Sequence, residues 1–404
     1  MILSTISKIS KRASKIAPSI TLAISAKAKQ MQAEGIDVVG FGAGEPDFDT
    51  PEPIKEAAIA AIKAGFTKYT ADSGIPELKK AISEKFKRDN NLEYEPAQIL
   101  VSSGAKHSLF NAIFVLCDDG DEVIIPAPYW VSYEEQVKMA GATTVIVETQ
   151  ESNDFKLTPE LFQKTITPKT KAIILNSPCN PTGTVYERDE LEALANVAVQ
   201  NGIYIIADEI YEYLVYDGAK HHSIAGFSQK IKDLTITING VSKAYSMTGW
   251  RIGYAAGPKE IIQAMANVQS HATSNAVSIS QKAAVAALQG SQECIAQMAA
   301  EFDKRRQVIV AGLNKIKGFS CRTPKGAFYA FPNVSGVYSL KFNGKPINNS
   351  FALTEFLLDE ARVAVVPGDA FGAPNYIRLS YATSLANIEK GLERIQKAIA
   401  MLDL

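Results

Sequence analysis

The chain has 404 residues, a formal net charge of −1, and 46% hydrophobic and 21% charged residues. That balance sets up no global field toward nucleic acid or an anionic membrane, and no apolar run approaches the roughly 20 residues that a bilayer-spanning helix needs. The length calls for about two domains, and the four cysteines (Cys117, Cys179, Cys294, Cys321) form no C-x-x-C pair, so they read as free thiols of a reducing, cytoplasmic compartment.

In chain order, the first stretch carries no acidic residue up to Ala33, and Lys8, Lys11, Arg12 and Lys15 cluster within it. Ile2, Ile6, Ile9, Ala13 and Ile16 recur there at helical spacing. Two readings stand: a targeting segment, or an arm whose apolar stripe packs on a partner subunit. The stretch is short and runs directly into a structured region, which favours the arm. A helix is expected over 19–34, ended by Gly35, and a loop over 40–53, where Gly and Pro block regular structure. Short β-rich apolar runs then recur at 99–101, 122–125, 144–147, 172–175, 203–207, 235–238 and 252–256, several separated by helical patterns. The alternation predicts an α/β fold with a mostly parallel seven-stranded sheet flanked by helices. After about residue 290 a long polar helix is expected over 291–317. GAFYAF (326–331), VAVVPG (363–368), YIRLSYAT (376–383) and a last helix then suggest a smaller α+β domain. The expected division is 1–50 as arm and part of the small domain, 51–290 as the large cofactor-binding domain, and 291–404 as the small domain.

Ligands of such sheets bind beyond the carboxyl ends of the strands. Three chemically useful residues follow strand ends here: Asn180, Asp208 and Lys243. Lys243 lies in NGVSKAYSMTGWRIG (239–253), where Gly240, Ser242 and Ala244 leave room for a flat molecule. A free lysine has a pKa of about 10.4 and becomes a nucleophile or base only where its surroundings favour the neutral or imine form. Arg251 offers a planar five-donor cation for a phosphate. In SSGAKHS (102–108) a strand gives way to a helical pattern, so the amides of Gly104, Ala105 and Lys106 suit the same anion, although the P-loop pattern is absent. Asp208 can hold the proton of a pyridine nitrogen, Tyr211 can reach the same ring from one turn of helix, Asn180 can donate to a ring oxygen, and Trp130 presents a flat face. Taken singly, each has a plain structural role: salt bridge, N-cap, turn or core. Taken in this order they are what a pyridoxal 5'-phosphate (PLP) site requires. The glycines at 40, 42 and 44 are not a dinucleotide fingerprint, since Pro46, Pro51 and Pro53 follow, and His107, His221, His222 and His271 form no metal pattern.

With GAGEPDFDTP (42–51), KYTADSGIPELK (68–79), PYWVSY (128–133), NSPCNPTG (176–183), SKAYSMTGWRIGY (242–254) and RLSYATS (378–384), the chain resembles class I aminotransferases of PLP fold type I. Within them it is most similar to the thermophile-like branch of bacterial aspartate aminotransferases. The resemblance implies Lys243 as Schiff-base lysine and proton shuttle, and Asp208 at the pyridine nitrogen. It puts Asn180 and Tyr211 at the ring oxygen and Trp130 on the ring. Arg251, Ser242 and the amides of Gly104, Ala105 and Lys106 would hold the phosphate, joined by Tyr69 from the other subunit of a homodimer with shared sites. Arg378, helped by Gly44, Trp130 and Asn180, would clamp the substrate α-carboxylate, and Lys106 with Thr21 the distal one. Some relatives carry a phosphate-binding serine where this chain has Gly240; Ser103 or Ser242 could supply that hydroxyl. The implied reaction exchanges L-aspartate and 2-oxoglutarate for oxaloacetate and L-glutamate by a ping-pong route, with prephenate or another amino acid as an alternative substrate. No metal, nucleic acid or membrane partner is implied. A β-lyase, a decarboxylase or a PLP-binding regulator on the same fold are the competing readings.

Overall fold

The computed structural model describes residues 9–403. Seven strands form its main sheet: β1 (Ile99–Ser102), β2 (Glu122–Ala127), β3 (Thr143–Glu148), β4 (Thr170–Asn176), β5 (Tyr204–Asp208), β6 (Thr235–Gly240) and β7 (Gly253–Ala256). Their order across the sheet is β1-β7-β6-β5-β4-β2-β3. The central strands are buried along nearly their whole length, so their sequences read as apolar runs rather than as alternation. β3, at the edge, is mostly uncovered. β7 alone in this sheet runs against its neighbours β1 and β6. The segment from 241 to 252 that joins β6 to β7 holds turns and a short 3-10 piece (Thr248–Trp250) but no crossover helix, so the chain returns antiparallel.

The helix expected over 19–34 is Ile20–Ala33, followed by Gly35 at φ +83°, and the one expected over 291–317 is Glu293–Leu313. The loop expected over 40–53 is narrower than the Gly and Pro content suggested. Val39–Gly40 pairs in parallel with Val363–Ala364. At the other end, Glu52–Lys63 is helical, with Pro53 in its first turn, where a missing N–H costs nothing. Val39 and Phe41 pack in the same core as Phe302, Ile309, Leu379, Leu392 and Ile395. Helix Ile20–Ala33 rests its Ala28 and Met31 against Leu358 and Ala364. Ahead of it, the helical spacing of Ile9, Ala13 and Ile16 does not become an α-helix: among the described residues there is only a 3-10 turn at Ala13–Lys15. Ile2, Ile6 and Lys8 lie outside the described residues, and the arm reading falls partly on them. The Ala17 N–H donates to Glu135 Oε2 at 3.0 Å, tying this stretch to helix Ser132–Met139.

Candidate active site

The carboxyl ends of β4, β5 and β6 meet at a cavity of about 420 Å³. Thr21, Gly44, Ala105, Lys106, Trp130, Asn180, Asp208, Tyr211, Ser242, Lys243, Arg251 and Arg378 all line it, which brings nearly every residue singled out in the sequence to one place. Asp208 is the last residue of β5 and is 3% exposed. The Tyr133 hydroxyl donates to its Oδ2 at 2.6 Å and the Ile210 N–H to its Oδ1 at 3.3 Å. Burial pushes its pKa up to about 6, against the pull of those two bonds and of the Lys243 charge. A carboxylate in that state lacks a cation directly opposite it.

Lys243 follows β6 on a turn. Its Nζ donates to the Gly44 carbonyl at 2.6 Å. Burial lowers its pKa to about 8; Glu45 opposes that, and Arg251 and Arg378 add to it. A lysine held there is partly neutral near physiological pH and is therefore a nucleophile and a base.

Four other cationic side chains line the cavity, Lys29, Lys106, Arg251 and Arg378, and among the described residues none has a carboxylate partner. Arg378, 2% exposed, donates from Nη1 to Asn180 Oδ1 at 3.0 Å and from Nη2 to the Gly42 carbonyl at 2.8 Å. Its guanidinium lies 4.5 Å from the Tyr329 ring centroid and 5.1 Å from that of Phe371. Its Nε is buried and has no hydrogen-bond partner among the described residues, and burial pulls its pKa down. Arg251 sits at φ +56° and, among the described residues, donates to the carbonyls of Thr248 (3.0 Å) and Ser103 (3.2 Å). It is stacked against Gly104 (φ +86°), where any Cβ would run into the guanidinium. Gly104 precedes helix Ala105–Leu116, whose first amides have no carbonyl one turn back to bond. Lys106 Nζ is 4.8 Å from the Trp130 ring centroid, and burial, then Arg251, lowers its pKa. Arg378 is buried, whereas Lys106 and Arg251 are exposed; a buried unpaired charge is costly, and a cavity that gathers several charges of one sign is a site for anions.

Some expectations need correcting. Tyr211 reaches the cavity from a turn rather than a helix, and its hydroxyl is 2.7 Å from that of Tyr329. Gly240 does not line the cavity; a Cβ there would lie 3.0 Å from Gly253 Cα and from the Ile252 carbonyl, so close packing of β6 on β7 accounts for the glycine. Of the two hydroxyls considered in its stead, Ser242 lines the cavity and Ser103 does not. Tyr69, assigned to the other subunit's site rather than to its own, is no such correction: it lies outside this chain's cavity, 91% exposed beside Thr273, Ser274 and Asn275. The sequence reading missed Tyr133, Tyr329, Asn176, Glu45 and Lys29. Tyr133 stands in the quoted PYWVSY, three places after Trp130, and that helical spacing was the available signal. Tyr329 had none: a Cβ on Gly44 would meet its hydroxyl at 2.8 Å, but that is a tertiary fact that no local pattern carries.

A cation-rimmed cavity at a sheet's carboxyl edge with a partly neutral lysine defines a group-transfer site for anionic substrates. The family described as aminotransferase class I and II matches residues 36–395, and the chain belongs to it. It is 54% identical over 390 residues to an aspartate aminotransferase of Geobacillus stearothermophilus, covering 96% of this chain and 98% of that one. It is 50% identical over 396 residues to a probable aspartate/prephenate aminotransferase of Rickettsia bellii, covering 98% and 99%. In three dimensions it is similar to the aspartate aminotransferase of Rhizobium meliloti, with a TM-score of 0.95 at 48% identity over 98% of this chain and 100% of that one. No helix among the described residues is long and apolar enough to cross a membrane.

Proposed function

We propose that this chain is a PLP-dependent aspartate aminotransferase, exchanging L-aspartate and 2-oxoglutarate for oxaloacetate and L-glutamate. One observation carries the reading: Lys243, with its pKa near 8, shares a cavity with Lys106, Arg251 and Arg378, none of which has a carboxylate partner among the described residues. A cofactor phosphate and the two carboxylates of the substrate supply the missing anions. The cofactor also fits the donor set in other respects. The raised pKa of Asp208 marks a place for a protonated ring nitrogen, Trp130 gives a face for the ring, and the unpartnered Arg378 Nε a place for a carboxylate oxygen.

In this reading Arg251, Ser242 and the amides of Gly104, Ala105 and Lys106 hold the phosphate, and Asn180 and Tyr211 hold the ring oxygen. Asp208 keeps the ring nitrogen protonated, itself held by Tyr133 and the Ile210 N–H. When bound, PLP supplies an aldehyde for the amino group and a ring that takes up the electron pair left at the substrate Cα. Arg378, with Asn180 and Gly44, fixes the α-carboxylate, and Lys106 with Thr21 the distal one. Lys243 Nζ would then lift the proton from the substrate Cα and hand it to the cofactor's former aldehyde carbon, two atoms along, which suits an amine whose pKa lies close to ambient pH. We further propose a cytoplasmic homodimer in which Tyr69, exposed in one chain, completes its partner's site. The division into 1–50, 51–290 and 291–404 belongs to the same reading and is supported by the pairing of Val39–Gly40 with Val363–Ala364. A broader range that includes prephenate is favoured by one feature: Lys106 is a single point charge, less selective in geometry than an arginine fork. The name of the Rickettsia relative points the same way.

The test is Lys243→Ala in the reconstituted protein, assayed for aspartate–2-oxoglutarate exchange. Loss of turnover is expected, and near-normal turnover overturns the reading.

A further inference from the structure

The turn after β5 presents carboxylates to two sides. Asp208 faces the cavity, whereas Glu212 does not line it and is 5% exposed in a charged cluster of its own. Glu212 Oε1 pairs with Lys85 Nζ and accepts from Asn239 Nδ2 at 2.8 Å; its Oε2 accepts from Asn90 Nδ2 at 3.0 Å. Lys85, with no exposed surface, also donates to Asn90 Oδ1 at 2.7 Å, and Asp89 Oδ2 lies 3.8 Å from its Nζ. Asn239 Oδ1 turns back to accept the Gly240 N–H at 2.7 Å. Asn239 and Gly240 close β6, and Ser242 and Lys243 come directly after.

A buried ion pair is poor value as a stabiliser, because desolvating two charges offsets most of their attraction. The ladder between β5 and β6 does not need it either. That ladder stops at the pairing of Asp208 with Ile238. Past that point the bond from Asn239 to Glu212 continues the tie, linking the segment that leads to Lys243 with the one that carries Asp208 and Tyr211. None of Lys85, Asn90, Glu212 or Asn239 touches the cavity.

We propose that Glu212, paired with Lys85, is a positioning residue that acts through Asn239 to set where Lys243 stands relative to Asp208 and Tyr211. The proposal rests on the role given to Lys243 above. It separates two bonds to one carboxylate: that from Asn239 transmits to the lysine, and that from Asn90 only fastens helix Pro76–Asn90.

The experiment compares Asn239→Ala with Asn90→Ala in the full-length chain. The first readout is the pH midpoint for acetic anhydride labelling of Lys243 in cofactor-free protein, followed by peptide mass. The second is kcat and KM of the reconstituted enzyme, and the third is Tm. Asn239→Ala is expected to move the labelling midpoint by ~0.5 pH unit or more, as displacement of a lysine relative to its neighbouring charges does. It should also lower kcat ~10-fold with KM changed by less than about twofold, as a misplaced catalytic group does. Asn90→Ala is expected to lower Tm while leaving the midpoint in place. Equal shifts in the two variants, or no shift in either, overturn the proposal and leave the cluster a structural one. If Asn239→Ala does not fold, Asn239→Ser takes its place and is read the same way. Absence of aspartate–2-oxoglutarate exchange in the unaltered protein sinks the functional reading, whereas an unmoved midpoint in Asn239→Ala sinks this proposal alone.

Discussion

The two ends of the cavity are built differently. At the inner end, Asp208, Asn180 and Lys243 stand on or just after β4, β5 and β6, and their positions are set by a buried ladder and by neighbours such as Tyr133 and Arg378. At the outer end, Thr21, Ser25 and Lys29 come from helix Ile20–Ala33, Lys106 from the start of helix Ala105–Leu116, and Lys29 is exposed. The bonds of Thr21 and Ser25 there are local: Ser19 Oγ to Thr21 Oγ1 at 3.0 Å, and Ser25 Oγ to the Thr21 carbonyl at 2.9 Å. In the proposed function the inner end therefore fixes the chemistry and tolerates little, while the outer end can change at modest cost and sets which substrates fit.

The comparison is broken most directly at the inner end. Asp208→Ala is expected to lower kcat by ~10²–10³-fold, the usual cost of removing one preorganised electrostatic partner, with little change in Tm. An effect no larger than that of Lys106→Ser contradicts the division. Next, Arg378→Lys replaces a two-point clamp by a point charge. It should cut kcat/KM by ~10–100-fold for every amino acid donor alike, since all share the α-carboxylate. Donor-dependent losses would move Arg378 to the outer end.

Tyr133→Phe removes the bond that helps Asp208 stay ionised. Burial already holds that carboxyl near pH 6, so the variant raises it further. An acid with a raised folded pKa stabilises the fold at low pH, and that contribution is lost as pH rises from about 4 to about 6. In cofactor-free Tyr133→Phe the loss should extend above pH 6, measurable as Tm against pH. An unchanged profile removes the hydroxyl from that role. At the outer end the effect is smallest: Lys106→Ser should raise KM for dicarboxylic substrates ~10-fold more than for aromatic ones, the worth of one charge-assisted contact. Equal effects on both take the distal carboxylate away from Lys106.

What the sequence made legible follows the same line. The strands of the main sheet were readable because a sheet covered on both faces requires continuous apolar runs, and the catalytic candidates followed from where those runs stop. The reversed direction of β7 was not readable, because it depends on the missing crossover between 241 and 252. Nor was the pairing of Val39–Gly40 with Val363–Ala364, two short pieces more than 300 residues apart with no periodicity to display. Gly240 was read as a departure at the phosphate, yet the contact with Gly253 that explains it is purely tertiary. Tyr133 and Tyr329 escaped for a related reason. Tyr133 bonds Asp208 and Tyr329 bonds Tyr211, and such links between distant parts of the chain exist only after folding.

The central claim is that the amine of Lys243, brought near neutrality by burial among cations, is the point of covalent attachment for PLP. Borohydride reduction of the reconstituted protein, followed by peptide mass analysis, tests it directly. The account predicts one pyridoxyl group per chain, on the peptide holding Lys243. A label on another lysine, or none at all, contradicts it.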